Sequence, residues 1–438
     1  MSSSSYCLLH LCFLLIISSI TCLAQTTTSH PKTLFLAVKK DPSTLQYITK
    51  IHQRTPLVPL KLAIHLGGES LWVDCEQDYE SSTYKPARCN SRQCNLARST
   101  ACGSCHTGTG TRPGCNSNAC YNVVENPIID TIYTGGEIAG DVLSIVSVNG
   151  TFPGPVATMS SFIFSCSPSY LTRSLGKDVK GMIGFGQQSP VSLATQFASA
   201  FRFSRKFAIC LSSTKELDVN GIIYIGQSPY LFSPGYDASR DLIYTPIITY
   251  SPSIFINRPS SEYYIQVSSI KINGKTLPLN KTLLSLDKSG YGGTRISTTV
   301  PYTVLETSIY NAVTKAFVKE MPKEVRSVLA VQPFTTCFNS RDIGMSRLGY
   351  NAPEINFVLH KQNVHWKITG ANSLVEVSGD VICLAFVEER RQESGQSIII
   401  GGFQMQDNLI EFDLSKKRIG FSNSLFFRQT MCSNQGFA

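Results

Sequence analysis

Lys61-Leu-Ala-Ile-His-Leu-Gly-Gly-Glu-Ser-Leu-Trp-Val-Asp-Cys75 is the stretch on which the fold turns. Leu62, Ile64 and Leu66 alternate, Gly67 and Gly68 supply a turn, and Leu71, Trp72 and Val73 resume the apolar run. This spacing predicts a strand, a glycine turn and a second strand. The side chain with chemistry at the turn is His65.

Most other periodic segments are short, β-branched and bounded by turn residues, as in Tyr263-Tyr-Ile-Gln-Val-Ser-Ser-Ile-Lys-Ile272 followed by Asn273-Gly274. Helical spacing is confined to Pro190–Ala200 and to Thr307–Glu320, where Ile309, Ala312, Val313, Ala316 and Phe317 recur on one face. The chain is therefore mainly β. Its net charge of +9 is dispersed, and Lys416-Lys-Arg418, between Asp413 and Ile419, reads as a hairpin turn. No basic stripe with interleaved aromatics points to nucleic acid, whereas acidic cell-wall polymers or acidic proteins suit such a balance. Phosphate-loop, zincin and nucleophile-elbow patterns are absent from the sequence, so neither a cofactor nor a metal is expected.

Leu8–Ile20 is an apolar run followed by Cys22-Leu-Ala24, which predicts a secretory leader over residues 1–24. The run is short for a bilayer and nothing later approaches the ~20 apolar residues of a span. Cys7, Cys12 and Cys22 belong to that leader. The twelve remaining cysteines (Cys75, Cys89, Cys94, Cys102, Cys105, Cys115, Cys120, Cys166, Cys210, Cys337, Cys383 and Cys432) predict six disulfides in an oxidising compartment. Cys102-Gly-Ser-Cys105 also has the spacing of a redox pair or half a zinc site, readings that suit a reduced cytosol better. Cys337 with Cys383 is the one expected pairing. Asn149-Gly-Thr151 and Asn280-Lys-Thr282 are sequons in turn-like contexts.

The second half carries Gly293-Thr-Arg-Ile-Ser-Thr-Thr-Val-Pro-Tyr-Thr-Val-Leu305 before its helix, and landmarks recur at Gly181-Met-Ile-Gly-Phe-Gly186, Ser189-Pro-Val-Ser-Leu193, Phe207-Ala-Ile-Cys-Leu211 and Ile398-Ile-Ile-Gly-Gly402. Together these resemble the two active-site loops and connecting strands of pepsin-like aspartic peptidases. Glu262–Gly274 and Gln404–Asp413 are similar to the plant subgroup without peptidase activity, which includes xylanase and xyloglucan-specific endoglucanase inhibitors, extracellular dermal glycoprotein and the basic seed globulin. The resemblance implies a bilobal, mainly β pepsin-like fold with lobes over residues 25–235 and 236–438. It also implies that His65 and Ser297 stand where the catalytic aspartates belong. Peptide hydrolysis on this scaffold needs two carboxylates about 3 Å apart sharing one proton, which an imidazole and an alcohol do not reproduce. A Ser297 nucleophile activated by His65 is the competing chemistry, and it lacks an orienting carboxylate and an oxyanion hole. Asp74 and Asp287 are not followed by Ser/Thr-Gly. Tyr133, in Thr131-Ile-Tyr-Thr-Gly-Gly-Glu137, is the candidate for the flap tyrosine.

If catalysis is gone, function rests on surfaces. In the inhibitor subgroup, second-lobe loops enter a microbial glycoside hydrolase's cleft, where a cation meets the catalytic carboxylates. The candidates are Arg390 and Arg391 in Glu388-Glu-Arg-Arg-Gln-Glu-Ser-Gly-Gln396, and Arg326 in Lys323-Glu-Val-Arg326. The expected protein is a secreted, apoplastic, monomeric inhibitor of a microbial endoglucanase or xylanase, acting in plant defence. The alternatives are a storage, receptor-like or peptide-binding wall protein and, behind it, a residual endopeptidase.

Overall fold

The computed structural model describes residues 31–105, 112–129, 132–149, 152–214, 216, 220–251, 259–389 and 395–435. The described residues from Lys32 onward form one compact unit. The expected leader and the candidates Arg390 and Arg391 lie outside the described residues, as do the side chains of Asn149 and Tyr133.

The strand–turn–strand stretch folds as read. Val58–His65 runs parallel to Val179–Gly184, with Gly184 opposite His65. Val179–Gly184 in turn pairs antiparallel with Trp72–Asp74, which lies parallel to Phe152–Ser167. The second half repeats this plan. Thr294–Ile296 is parallel to Ile398–Ile400, which pairs antiparallel with Thr303–Glu306, itself parallel to Phe386–Glu389. Each half thus brings a loop tip up beside a parallel neighbour, His65 in one and Ser297 in the other. The fold is mainly β, as the alternation predicts.

The halves are joined by a shared sheet. Leu409–Asp413 and Arg418–Phe421 form a hairpin in which Lys417 takes a positive φ, and Leu409–Asp413 pairs with Lys206–Cys210 of the first half. The basic cluster is accordingly a turn. Under the loop tips Phe207 stacks on Phe412 at 4.6 Å, Tyr263 meets Phe412 edge-on at 4.6 Å, and Phe185 lies 4.9 Å from Phe207. These four rings, two from each half, are buried.

The helix Thr307–Glu320 matches its expected bounds, with the Glu306 carboxylate accepting from the Ser308 and Ile309 amides at its start. The first helix begins three residues later than its spacing predicts, at Leu193 after Ser192, because Pro190 and Val191 stay in the approach loop. The segment Tyr263–Ile272 is two strands, not one. Tyr263–Ile265 joins the loop sheet, while Ser269–Ile272 joins a separate sheet beside Ile355–Val358. Ser268 causes the break: its hydroxyl donates to the carbonyls of Val358 and Leu359 and turns the chain between sheets. Asn273 and Gly274 then adopt the positive φ values of a tight hairpin turn.

All twelve expected cysteines are paired: Cys75–Cys166, Cys89–Cys102, Cys94–Cys120, Cys105–Cys115, Cys210–Cys432 and Cys337–Cys383. Cys102 and Cys105 bind different partners, which removes the redox-pair and zinc readings. No helix among the described residues is long and apolar enough to cross a membrane.

Because Phe412 is fully buried and contacts rings from both halves, Phe412→Ala is expected to destabilise the protein by about 3–5 kcal/mol. Thermal unfolding followed by tryptophan fluorescence checks this, and an unchanged midpoint would contradict the role given to the aromatic cluster.

Candidate functional site

The two loop tips are tied by one side chain. Thr298 Oγ1 donates to the Ile64 carbonyl at 2.7 Å and accepts the Leu66 amide at 3.2 Å, across more than two hundred residues of sequence. Leu66, fully buried, has no hydroxyl with which to reciprocate. On the first tip the His65 carbonyl accepts the amides of Gly68 and Phe185 at 3.2 and 3.1 Å, which closes the turn and fixes the imidazole.

His65 faces an acid. Its Nε2 lies 3.8 Å from Glu262 Oε1, the histidine side chain being 4% exposed and the glutamate 19%. Arg295 Nη1, from the strand leading to Ser297, approaches the same oxygen at 3.1 Å. The carboxylate rests directly on Gly67, where an added Cβ would come within 2.2 Å of Glu262 Cδ. A side chain at Gly67 would therefore have to displace the acid above it. Burial pushes the Glu262 carboxyl up, but Arg295 and His65 together outweigh burial, and the group lies below its ordinary value of 4.5. Glu125, on the strand Ala119–Asn126 whose backbone is held by the Trp72 indole, shows the reverse: burial raises its carboxyl, His65 opposes the rise and Glu262 and Glu69 add to it.

Ser297 is occupied elsewhere. Its hydroxyl shares a hydrogen bond with Thr299 Oγ1 at 2.8 Å and accepts the Thr299 amide at 3.2 Å. No hydrogen bond joins His65 to Ser297 among the described residues, so the two loops do not assemble a serine–histidine pair. Asp74 accepts from the Glu76 amide and the Ser169 hydroxyl, and Asp287 from the amides of Ser289 and Tyr291. Asp74 thus ties its strand to the distant segment at Ser169, while Asp287 serves its own loop. The acid at the centre is Glu262, which sequence reasoning named only as the first residue of the stretch Glu262–Gly274 that resembles the plant subgroup. Among the described residues no group of three or more His, Cys, Asp and Glu is placed to hold a metal.

Of the surface candidates, Arg326 forms a two-pronged pair with Asp342, Nε at 2.7 Å and Nη2 at 2.9 Å. Asn280 is exposed in a turn, its Oδ1 accepting from the amide and hydroxyl of Thr282. The backbone of Tyr133 lies opposite Glu125 in the hairpin of Ala119–Asn126 and Ile132–Asn149.

Comparison with known proteins matches residues 47–227 to the family described as xylanase inhibitor N-terminal and residues 262–423 to xylanase inhibitor C-terminal. The chain belongs to this family. Within it the chain falls in the plant pepsin-like subgroup without peptidase activity. It is 49% identical over 444 residues to the "Probable aspartic proteinase GIP2" of Nicotiana benthamiana, covering 99% of both chains. Its structure is similar to the crystal structure of edgp (48% identity, TM-score 0.89, 94% of this chain and 99% of that one). It is also similar to conglutin gamma, a basic 7S globulin from lupine seeds (37% identity, TM-score 0.79, 92% and 98%). An aspartic proteinase from Irpex lacteus, 14% identical with a TM-score of 0.53 over 90% of this chain and 97% of that one, shares the bilobal fold alone.

The depressed Glu262 carboxyl dictates a pH dependence. Its contribution to stability is present above the unfolded-state value and is lost as pH falls through the lower folded value. Glu262→Gln is accordingly expected to be less stable than the parent at pH 7, with the gap closing below about pH 4. Thermal melts across that range decide it, and a gap that stays constant into strong acid would refute the ion cluster.

Proposed function

We propose that the protein is a secreted, catalytically inactive member of the family that binds and inhibits a microbial glycoside hydrolase, of the xylanase or xyloglucan-specific endoglucanase class, in plant defence. The observation that carries this reading is the state of Glu262. A peptidase needs a proton-sharing carboxylate pair above its loop tips, and here one carboxylate, kept ionised by Arg295 and His65, rests on the first turn. His65 and Ser297 stand in for the two aspartates in the lobes over residues 25–235 and 236–438. The first faces an acid already paired with arginine, and the second is bonded to Thr299.

The family descriptions support the target class, since both name xylanase inhibitors. The inhibitory surface we propose is the second-half face around the Glu388–Gln396 loop. Beside it lies a concavity of about 480 Å³ lined by Tyr302, Pro333, Val387 and Glu388, apolar at its floor and charged at its rim in the manner of protein interfaces. Arg390 and Arg391 are the cations offered to the hydrolase's carboxylates, with Arg326 as a second contributor after release from Asp342. Six disulfides support an oxidising, extracellular location. The similarity to conglutin gamma favours a second reading, a storage or peptide-binding protein.

Titration against a panel of microbial endoglucanases and xylanases is expected to find one inhibited at nanomolar concentration, with Arg390→Ala/Arg391→Ala weakening that inhibition at least about tenfold. Inhibition of none, with saturable binding of a short peptide, would favour the storage reading instead. Pepstatin-resistant digestion of a denatured protein at acid pH, lost in His65→Ala, would overturn both. Asn280→Gln is expected to remove one N-glycan's mass from protein expressed in a plant host, and an unchanged mass would refute glycosylation there.

A further inference from the structure

We propose that a concavity at the far end of the second half's small sheet binds an acidic oligosaccharide, a short chain of uronic acid units. The concavity, about 590 Å³, is formed where Ser269–Ile272 lies between Lys275–Thr276 and Ile355–Val358. Alternation along Ser269–Ile272 sends Ile270 and Ile272 into the core and leaves Ser269 and Lys271 on the half-exposed face that lines the hollow. Lys281 closes one side and His360 with Gln362 another.

Three features single this hollow out. First, its cationic side chains are unspent: among the described residues Lys271 and Lys281 make no ion pair, and the buried His360 Nδ1 has no hydrogen-bond partner. Second, no carboxylate among the described residues lines it, whereas two other concavities of similar size carry Glu388 and Glu389, or Asp41, Glu216 and Glu376. Third, hydroxyl and amide groups of Ser269, Thr276 and Gln362 stand around an apolar floor at Val358. Lysines fix carboxylates as point charges, hydroxyls and amides match the alcohols of a sugar, and the floor accepts its C–H face. The volume lies in the range of organic ligand sites and is large for a single inorganic anion. Burial and Lys361 push the His360 imidazole down, so near neutral pH it serves as a hydrogen-bonding ring and the positive charge comes from the lysines. This site shares no residue with the proposed inhibitory face and stands whether or not that reading holds.

Calorimetric titration of the full protein with a galacturonate trimer tests the proposal. The expected result is saturable one-site binding, weakened at least about tenfold by Lys271→Ala/Lys281→Ala and unchanged in Lys416→Ala/Lys417→Ala, which removes equal charge from the hairpin turn. His360→Gln, a milder change, is expected to weaken binding in a protein with unaltered melting. No binding, equal binding of a neutral galactose trimer, sulfate binding as tight as the trimer, or equal loss in the hairpin variant would each overturn it.

Discussion

A carboxylate buried on a glycine turn must be neutralised by its neighbours, because an unpaired ion out of water is costly. Glu262 sits on Gly67 with Arg295 and His65 against it, and this constraint orders the centre of the molecule. An aspartate at residue 65 would set a second carboxylate beside Glu262, and mutual repulsion would raise the pKa of one of the two. A histidine there supplies hydrogen bonding and, when protonated, charge of the opposite sign. The centre is thus an ion cluster, and Gly67 leaves the acid the space it occupies.

The loops that hold this cluster are joined unequally. Thr298 spans to Ile64 and Leu66, while Leu66 contributes only an amide and apolar bulk in return. Below the tips the halves are also joined by the ring cluster of Phe185, Phe207, Tyr263 and Phe412 and by the Tyr263 hydroxyl, which donates to the Phe185 carbonyl at 2.6 Å. Tyr263 follows Glu262 directly, and Phe185 bonds the His65 carbonyl through its amide. The rings therefore help set the positions of both Glu262 and His65, and apolar packing supports the polar contacts above it.

Local features were legible in the chain. The helix Thr307–Glu320, the turns at Gly67-Gly68 and Lys417, and the two loop tips follow from periodicity and glycine placement over a dozen residues. Glu262 was not legible, because its partners lie 33 and 197 positions away and it precedes an ordinary apolar strand. Two signals pointed toward it: Arg295 stands between Thr294 and Ile296 just before the second tip, and twin glycines leave the first turn open to a neighbour. The division of Tyr263–Ile272 between two sheets was hidden for a similar reason, since the Ser268 contacts are to carbonyls some ninety residues on.

With the centre self-neutralised, binding has to be gained from charges that are not already satisfied. Arg326 is a poor source by this measure. Its fork is matched by Asp342, and moving it to a partner's carboxylate exchanges one two-pronged contact for another with little net gain. Arg341 is similarly paired with Asp380 and Arg428 with Asp241. Among the described residues Lys271 and Lys281 carry no such internal competitor, so an anion arriving there forms charge-assisted contacts without breaking any of those described. An anionic ligand is better met by lysines that form no ion pair among the described residues, and the proposed hollow sets Lys271 and Lys281 beside polar groups and Val358.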